Sequence, residues 1–138
     1  MRRFTILAIA VLLGAAGSTL TAHHSAAQFD FAKSVAINGV VVKFIAINPH
    51  MQLVLRVTDA KGTREIEFEG HSTNNMFRAG YRDRMIKVGD KITVYAAPLR
   101  SGADGGYVTA ATTASGQRFG PRSAAEAAAE REKAEGKQ

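Results

Sequence analysis

The alternation of apolar and polar positions through the middle of the chain predicts a series of strands. Val35 to Ile47 is dense in Val and Ile around a single Gly39. β-Branched side chains disfavour helix, and an isolated glycine within a strand marks a bulge or sharp bend, so this is read as one long bent strand. Asn48-Pro49 ends it, because proline has no N–H to give to a ladder. Met51 to Thr58 alternates Met51, Leu53, Leu55 and Val57 against Gln52, Val54 and Arg56. After the turn Asp59-Ala60-Lys61-Gly62, Arg64 to Glu69 sets Glu65, Glu67 and Glu69 against Ile66 and Phe68. Period two on both sides of a short glycine-containing turn predicts a hairpin with one wet face. The carboxylate row is then a solvated strand face rather than a catalytic pair, since same-face residues stand roughly 7 Å apart.

Beyond Glu69 the pattern changes. Ser72-Thr73-Asn74 offers capping side chains, Met76-Phe77 an apolar patch and Gly80 a stop, which predicts a short helix. The turn Lys87-Val88-Gly89-Asp90-Lys91 leads into a strand from Ile92 to Ala96, closed by Pro98. A flexible Gly-rich loop from Ser101 to Gly106 precedes a last strand, Tyr107 to Thr113. Three strands, a short helix and two strands, with a long bent first strand, predict an all-β domain of the five-stranded, partly open OB-like barrel type. A small β-sandwich is the alternative. His23 to Lys33 has no sustained period and reads as an arm pinned to the barrel by Phe29 or Phe31.

The two ends are different in kind. Met1-Arg2-Arg3, the apolar run Phe4 to Ala16 and the small and polar residues Gly17 to Ala22 form the pattern of a secretory signal peptide. The run is short of the about 20 residues that a spanning helix needs, so no stable membrane span is expected after cleavage. Cleavage after Ala22 makes His23 the mature N-terminus. Leu20 is bulky for that cut, and cleavage after Gly17 or Ser18 fits the small-residue rule better. The tail from Arg122 to Gln138 is rich in Ala, Glu, Arg and Lys and is strongly helix-prone, but it has no apolar stripe beyond alanine. A frayed solvent helix or a disordered tail is expected there. The organisation is thus a signal peptide over 1–22, one β-domain over 23–120 and a tail over 121–138, with export to the periplasm or medium.

Composition narrows the chemistry. The chain has 138 residues and no cysteine, which excludes disulfide staples and thiolate metal sites and leaves stability to the apolar core. Its formal charge is +6, and loss of Arg2 and Arg3 leaves 16 basic against 12 acidic side chains, or +4. That mild excess suits anionic partners, but nucleic acid is not expected for an exported protein.

His23-His24-Ser25 followed by Phe29-Asp30, the strand through Gly39-Val40-Val41, Asn48-Pro49-His50, and Gly89-Asp90 before a strand together resemble a family of small exported bacterial proteins of unknown function. The resemblance covers roughly Ala22 to Gly120 and implies a signal peptide followed by a compact β-domain. It implies no activity. Phe68 stands where such proteins often carry a different aromatic, and the alanine-rich tail looks like an addition.

The histidines carry the sharpest chemical expectation. In an up-down-up meander the start of the second strand and the end of the third lie at one edge, so His50 and His71 belong to one rim. The arm is long enough, at up to 3.3–3.6 Å per residue, to bring His23 or His24 to that rim. A mature His23 would offer its α-amine and ring nitrogen together, His50 a further imidazole, and His24 or His71 another ligand. Imidazoles suit copper, zinc and nickel, and Cu(II) binds tightest among divalent first-row ions. Copper is preferred over zinc, which would want a carboxylate or thiolate beside the histidines; Glu69 is the nearest candidate and the chain has no cysteine. The competing reading is that His50 fixes the turn after Pro49 by a hydrogen bond and the others stay solvated.

Non-enzymatic binding is therefore favoured. Ser25 and Ser72 adjoin histidines, but no Gly-x-Ser-x-Gly elbow is present, and the loop Gly102 to Gly106 lacks the Lys-Ser/Thr and helix of a phosphate loop. The alternative function is a module that binds a glycan, peptide or other envelope component on the barrel face. Arg78, Arg82, Arg84, Lys87 and Lys91 are its candidate contacts, weighed against a plain solvated face.

Overall fold

The computed structural model describes residues 26–121. The segments 1–25 and 122–138, which hold the expected signal peptide, His23, His24 and the alanine-rich tail, lie outside them. A 3-10 turn at Ala26–Gln28 is followed by strands β1 (Val35–Ile45), β2 (Gln52–Asp59) and β3 (Gly62–Gly70). Helix α1 (Thr73–Arg78) then leads to β4 (Lys91–Pro98), β5 (Gly106–Thr113) and a two-residue β6 (Arg118–Phe119). The all-β class and the order of three strands, helix and two strands are those that the sequence predicts, and β6 is an addition.

The strands lie in the order β3-β2-β1-β4-β5-β6, and β3 also pairs with β5 in parallel, so five strands form a ring. That closure consists of Phe68↔Gly106, Glu69↔Tyr107 and Gly70↔Val108, much shorter than the β2–β3 ladder that runs from Gln52↔Glu69 to Asp59↔Gly62. The ring is therefore not a clean barrel, and the fold is a sandwich-like, mostly antiparallel β structure with OB-like strand order.

β1 joins the two halves because it changes partner along its length. Val35 to Val40 pair with β4, and Val40 to Ile45 pair with β2, with a register shift between Val41 and Lys43. The bend needs Gly39: a Cβ there would stand 3.0 Å from both the Arg56 carbonyl oxygen and the Leu55 Cβ. The strand stops at Ile45, two residues before the apolar pattern ends, and the Asn48–Pro49 peptide that follows is cis.

Inward positions of every strand of the ring fill the core, with Leu55 and Val94 fully buried and Leu53, Phe68 and Val108 nearly so. The Ser72 hydroxyl caps α1 by accepting from the Asn75 N–H at 3.4 Å, and the helix buries Met76. Just beyond it the Tyr81 ring packs edge-on or tilted against Phe44, Phe77 and Phe119, at 5.6, 5.4 and 5.9 Å. Such aromatic pairs add about 0.5–1.5 kcal/mol each beyond their burial, so helix and β6 hold one another against β1.

Candidate functional site

The β2–β3 ladder continues past Gln52↔Glu69. The Gly70 N–H donates to the Met51 carbonyl at 3.2 Å, and the Met51 N–H donates to the His71 carbonyl at 3.1 Å. His50 therefore enters β2 where His71 leaves β3, at one edge of the sheet. The parallel closure adds β5 to this edge and sets Tyr107 opposite Glu69. The His71 ring stands 5.1 Å from the Tyr107 ring at 85°, and its Nδ1 is 3.1 Å from the phenol oxygen. The His50 ring stands 6.3 Å from the same phenol at 79°. One tyrosine thus lies edge-to-face with both imidazoles.

Hydrogen bonding decides what each ring presents. His50 Nδ1 is 3.0 Å from the Gly70 carbonyl oxygen. A carbonyl only accepts, so Nδ1 carries the proton, and in the neutral ring Nε2 keeps its lone pair. His50 itself is exposed. Burial, and then the neighbouring charge of His50, push the His71 imidazole below its ordinary pKa and favour its neutral form. Burial, with the Glu69 carboxylate second, raises the Tyr107 phenol, so it stays protonated at neutral pH.

The N-terminal arm docks on the same rim. The buried Phe29 bridges to Leu99, the Asp30 N–H donates to the Pro98 carbonyl at 2.8 Å, and the Arg100 N–H donates to the Gln28 carbonyl at 2.9 Å. Phe29 and Phe31 each lie against Tyr107, at 5.5 and 5.3 Å, and against each other at 6.1 Å. Both aromatics expected to pin the arm do so, and Tyr107 is the shared post.

Of the four histidines singled out in the sequence, His50 and His71 share this rim, while His23 and His24 lie outside the described residues. Among the described residues, no three His, Asp or Glu side chains gather as a metal cluster. Apolar periodicity does not single out Tyr107. The signal that could have found it is the strand order itself, since an OB-like closure lays the start of β5 beside the end of β3.

Two members of the basic cluster also take part in local structure, Arg82 through its side chain and Lys87 through its backbone. The Arg82 guanidinium donates to the carbonyls of Phe77 and Tyr81, at 3.0 and 2.7 Å, so it closes the end of the helix. The Lys87 N–H donates to the Asp90 carboxylate at 2.8 Å, which holds the turn into β4. In the carboxylate row, exposed Glu65 pairs with Arg56 at 3.0 Å, as a solvated strand face would. Among the described residues no helix is long and apolar enough to cross a membrane.

Comparison with known proteins adds a family and a distant structural likeness. The model described as "Family of unknown function (DUF6152)" matches residues 10–109. No curated protein matches the chain. Among solved structures the chain is similar to the crystal structure of the ZRD-deleted mutant of TiaS in complex with agmatine, at 16% identity and a TM-score of 0.42. The match covers 67% of this chain and 23% of that one.

Proposed function

The chain belongs to DUF6152, a family of unknown function, and for this member we propose an exported, non-enzymatic β-domain that binds a transition metal, copper first. Its ligands are the rim imidazoles of His50 and His71 together with His23 and His24 of the arm. The observation that carries this reading is the His50 Nδ1–H bond to the Gly70 carbonyl. A ring nitrogen fixed on a backbone carbonyl is the usual support of a metal-ligating histidine, because it orients the ring and leaves the other nitrogen free to bind.

Two further facts support it. His71 is held toward its neutral form beside His50, and only neutral imidazoles bind metal. Phe29 and Phe31 fasten the arm to the tyrosine that both imidazoles touch. From Ala26 back to His23 is three residues, at most about 11 Å of chain. Cleavage after Ala22 would supply the His23 α-amine as well, and nitrogen ligands of this kind favour Cu(II) over the other divalent first-row ions. The amine loses its proton with a free pKa of about 8, so affinity should fall in acid.

The test is a Cu(II) titration of processed protein with a free His23 amine, of a form extended by one residue, and of His50→Gln and His71→Gln. Extension should weaken binding if the amine is a ligand, and each rim substitution should weaken it by about tenfold or more. Equal affinity for the free and extended forms would sink the amine ligand, and full affinity in both glutamine variants would sink the rim. The mass of the secreted protein fixes its first residue independently.

A further inference from the structure

We propose that the outer face of β1, where it parts from β2 and joins β4, is a second binding site, and that its ligand is an acidic oligosaccharide. A groove of about 390 Å³ lies there. Strand register arranges its lining in two rows. Arg56 and Lys91 both stand opposite Val40, one on each flanking strand. In the next row Asn38 stands opposite Thr93, and Thr93 opposite Thr112.

Each row has a distinct chemical use. Neighbouring strands are 4.7–4.9 Å apart, so the cations rise from backbones about 10 Å apart with uncharged Val40 between them. Separated by a whole strand, they suit carboxylates on different sugars of one chain better than the oxygens of one small anion. In the second row the Thr93 hydroxyl donates to the Asn38 side-chain oxygen at 2.6 Å. That bond uses the Asn38 oxygen and the Thr93 hydroxyl proton, and leaves the Asn38 amide N–H donors and a Thr93 oxygen lone pair, the mixed donor and acceptor set that ring hydroxyls require. The Arg118 guanidinium donates to the Thr112 hydroxyl at 3.1 Å and so fixes the end of the row.

The floor and the charge balance agree with this ligand. Between the two cations the half-buried Val40 side chain offers an apolar contact for the C–H face of a pyranose ring, while Ile92 beneath it belongs to the core. Among the described residues no carboxylate lines the groove. Glu65 pairs with Arg56 from the strand beyond, so an acidic ligand shares that guanidinium with an exposed carboxylate, and Asp90, which lines the adjoining groove beside Lys91, accepts from the Lys87 N–H. The chain carries +6, and +4 without Arg2 and Arg3, so long-range attraction for a polyanion acts mildly in the same direction. The site shares no side chain with the histidine rim and does not depend on metal.

The experiment is an NMR titration of the full chain, in chelator, with a galacturonic-acid hexamer, a neutral galactose hexamer and inorganic phosphate. The acidic hexamer should shift the amides of Asn38, Thr93 and Thr112. Arg56→Gln and Lys91→Gln should each weaken it by about tenfold, the scale of one charge-assisted hydrogen bond. Asn38→Ala should weaken it too, which charge attraction alone would not produce. Arg56 and Asn38 are exposed, so unchanged spectra of the unliganded variants verify their fold. The proposal is overturned if phosphate competes at equal concentration, if the neutral hexamer binds equally well, if the shifts centre on Tyr107, or if the acidic hexamer leaves the spectrum unchanged.

Discussion

Phe29→Ala removes the ring that fastens the arm to the rim, and the structure sets the size of the loss. Phe29 is only 3% exposed and packs on both Phe31 and Tyr107. In a closed core the substitution would cost about 3–5 kcal/mol, because a cavity is added to the lost burial. The arm, however, is bound to the ring from one side and can lift away, so the cavity contribution largely disappears. What remains is the transfer of the ring, about 2–3 kcal/mol. For a domain of this size that lowers Tm by roughly 8–24 °C. Thermal denaturation measures the total, and hydrogen exchange locates it. The amides of Asp30, bonded to Pro98, and Arg100, bonded to Gln28, should lose protection in the variant. Amides of the β2–β3 ladder should remain protected up to the new global stability. A Tm change under about 2 °C with Asp30 still protected would refute the account, because the arm would then be held by something other than this ring.

Two more predictions concern the rim and the closure of the ring. In metal-free protein, His50→Gln should raise the His71 pKa by removing the neighbouring positive charge, as followed by NMR of the His71 ring; an unchanged or lowered value would show that burial alone sets it. Because the folded His71 pKa lies below its unfolded value of about 6.5, the unfolded chain binds more protons between the two, so stability should fall as pH drops through that window and the variant should flatten this slope in denaturant midpoints at stepped pH. Gly106→Ala places a Cβ 2.7 Å from the Ala97 carbonyl oxygen and 3.1 Å from the Ala96 Cβ. Both belong to the paired β4 and have little room to move, so about 1–3 kcal/mol should be lost in urea unfolding, and a cost under about 0.5 kcal/mol would mean that the β3–β5 closure is looser than described.

Much of this arrangement is legible in the residues, for identifiable reasons. Leu53, Leu55 and Val57 announce the inward face of β2 because only that face is buried. Ser72 and Gly80 announce the helix because capping and chain reversal need those side chains or their absence. The shared edge of His50 and His71 follows from strand direction alone. The run Val40-Val41-Val42 conceals the register shift, since three like side chains do not say which one turns inward. β6 has two residues and therefore no period; it is held by backbone bonds across the turn, such as the Thr113 N–H to the Gln117 carbonyl at 2.8 Å. The proton position on His50 is equally invisible in sequence, because its partner is a backbone carbonyl of the neighbouring strand.

Both candidate sites arise where the ring of strands is incomplete, and the cause is the same. A strand pair in full register satisfies its backbone groups and packs its outward side chains into a flat surface, which offers little purchase to a ligand. β1 must leave β2 to reach β4, and the parting opens the groove beside Gly39. β3 and β5 meet over only three residue pairs, so the backbone at the neighbouring end of β4 takes its partners from the arm through Asp30 and Gln28. The arm is therefore part of the closure, and Tyr107 is where strand pairing, arm and imidazoles coincide. Seam and arm should therefore stabilise one another, so any ligand that engages both arm and rim should also stabilise the seam. On this reasoning Cu(II) should raise the protection of the Asp30 and Arg100 amides, and Phe29→Ala, which frees the arm, should weaken Cu(II) binding.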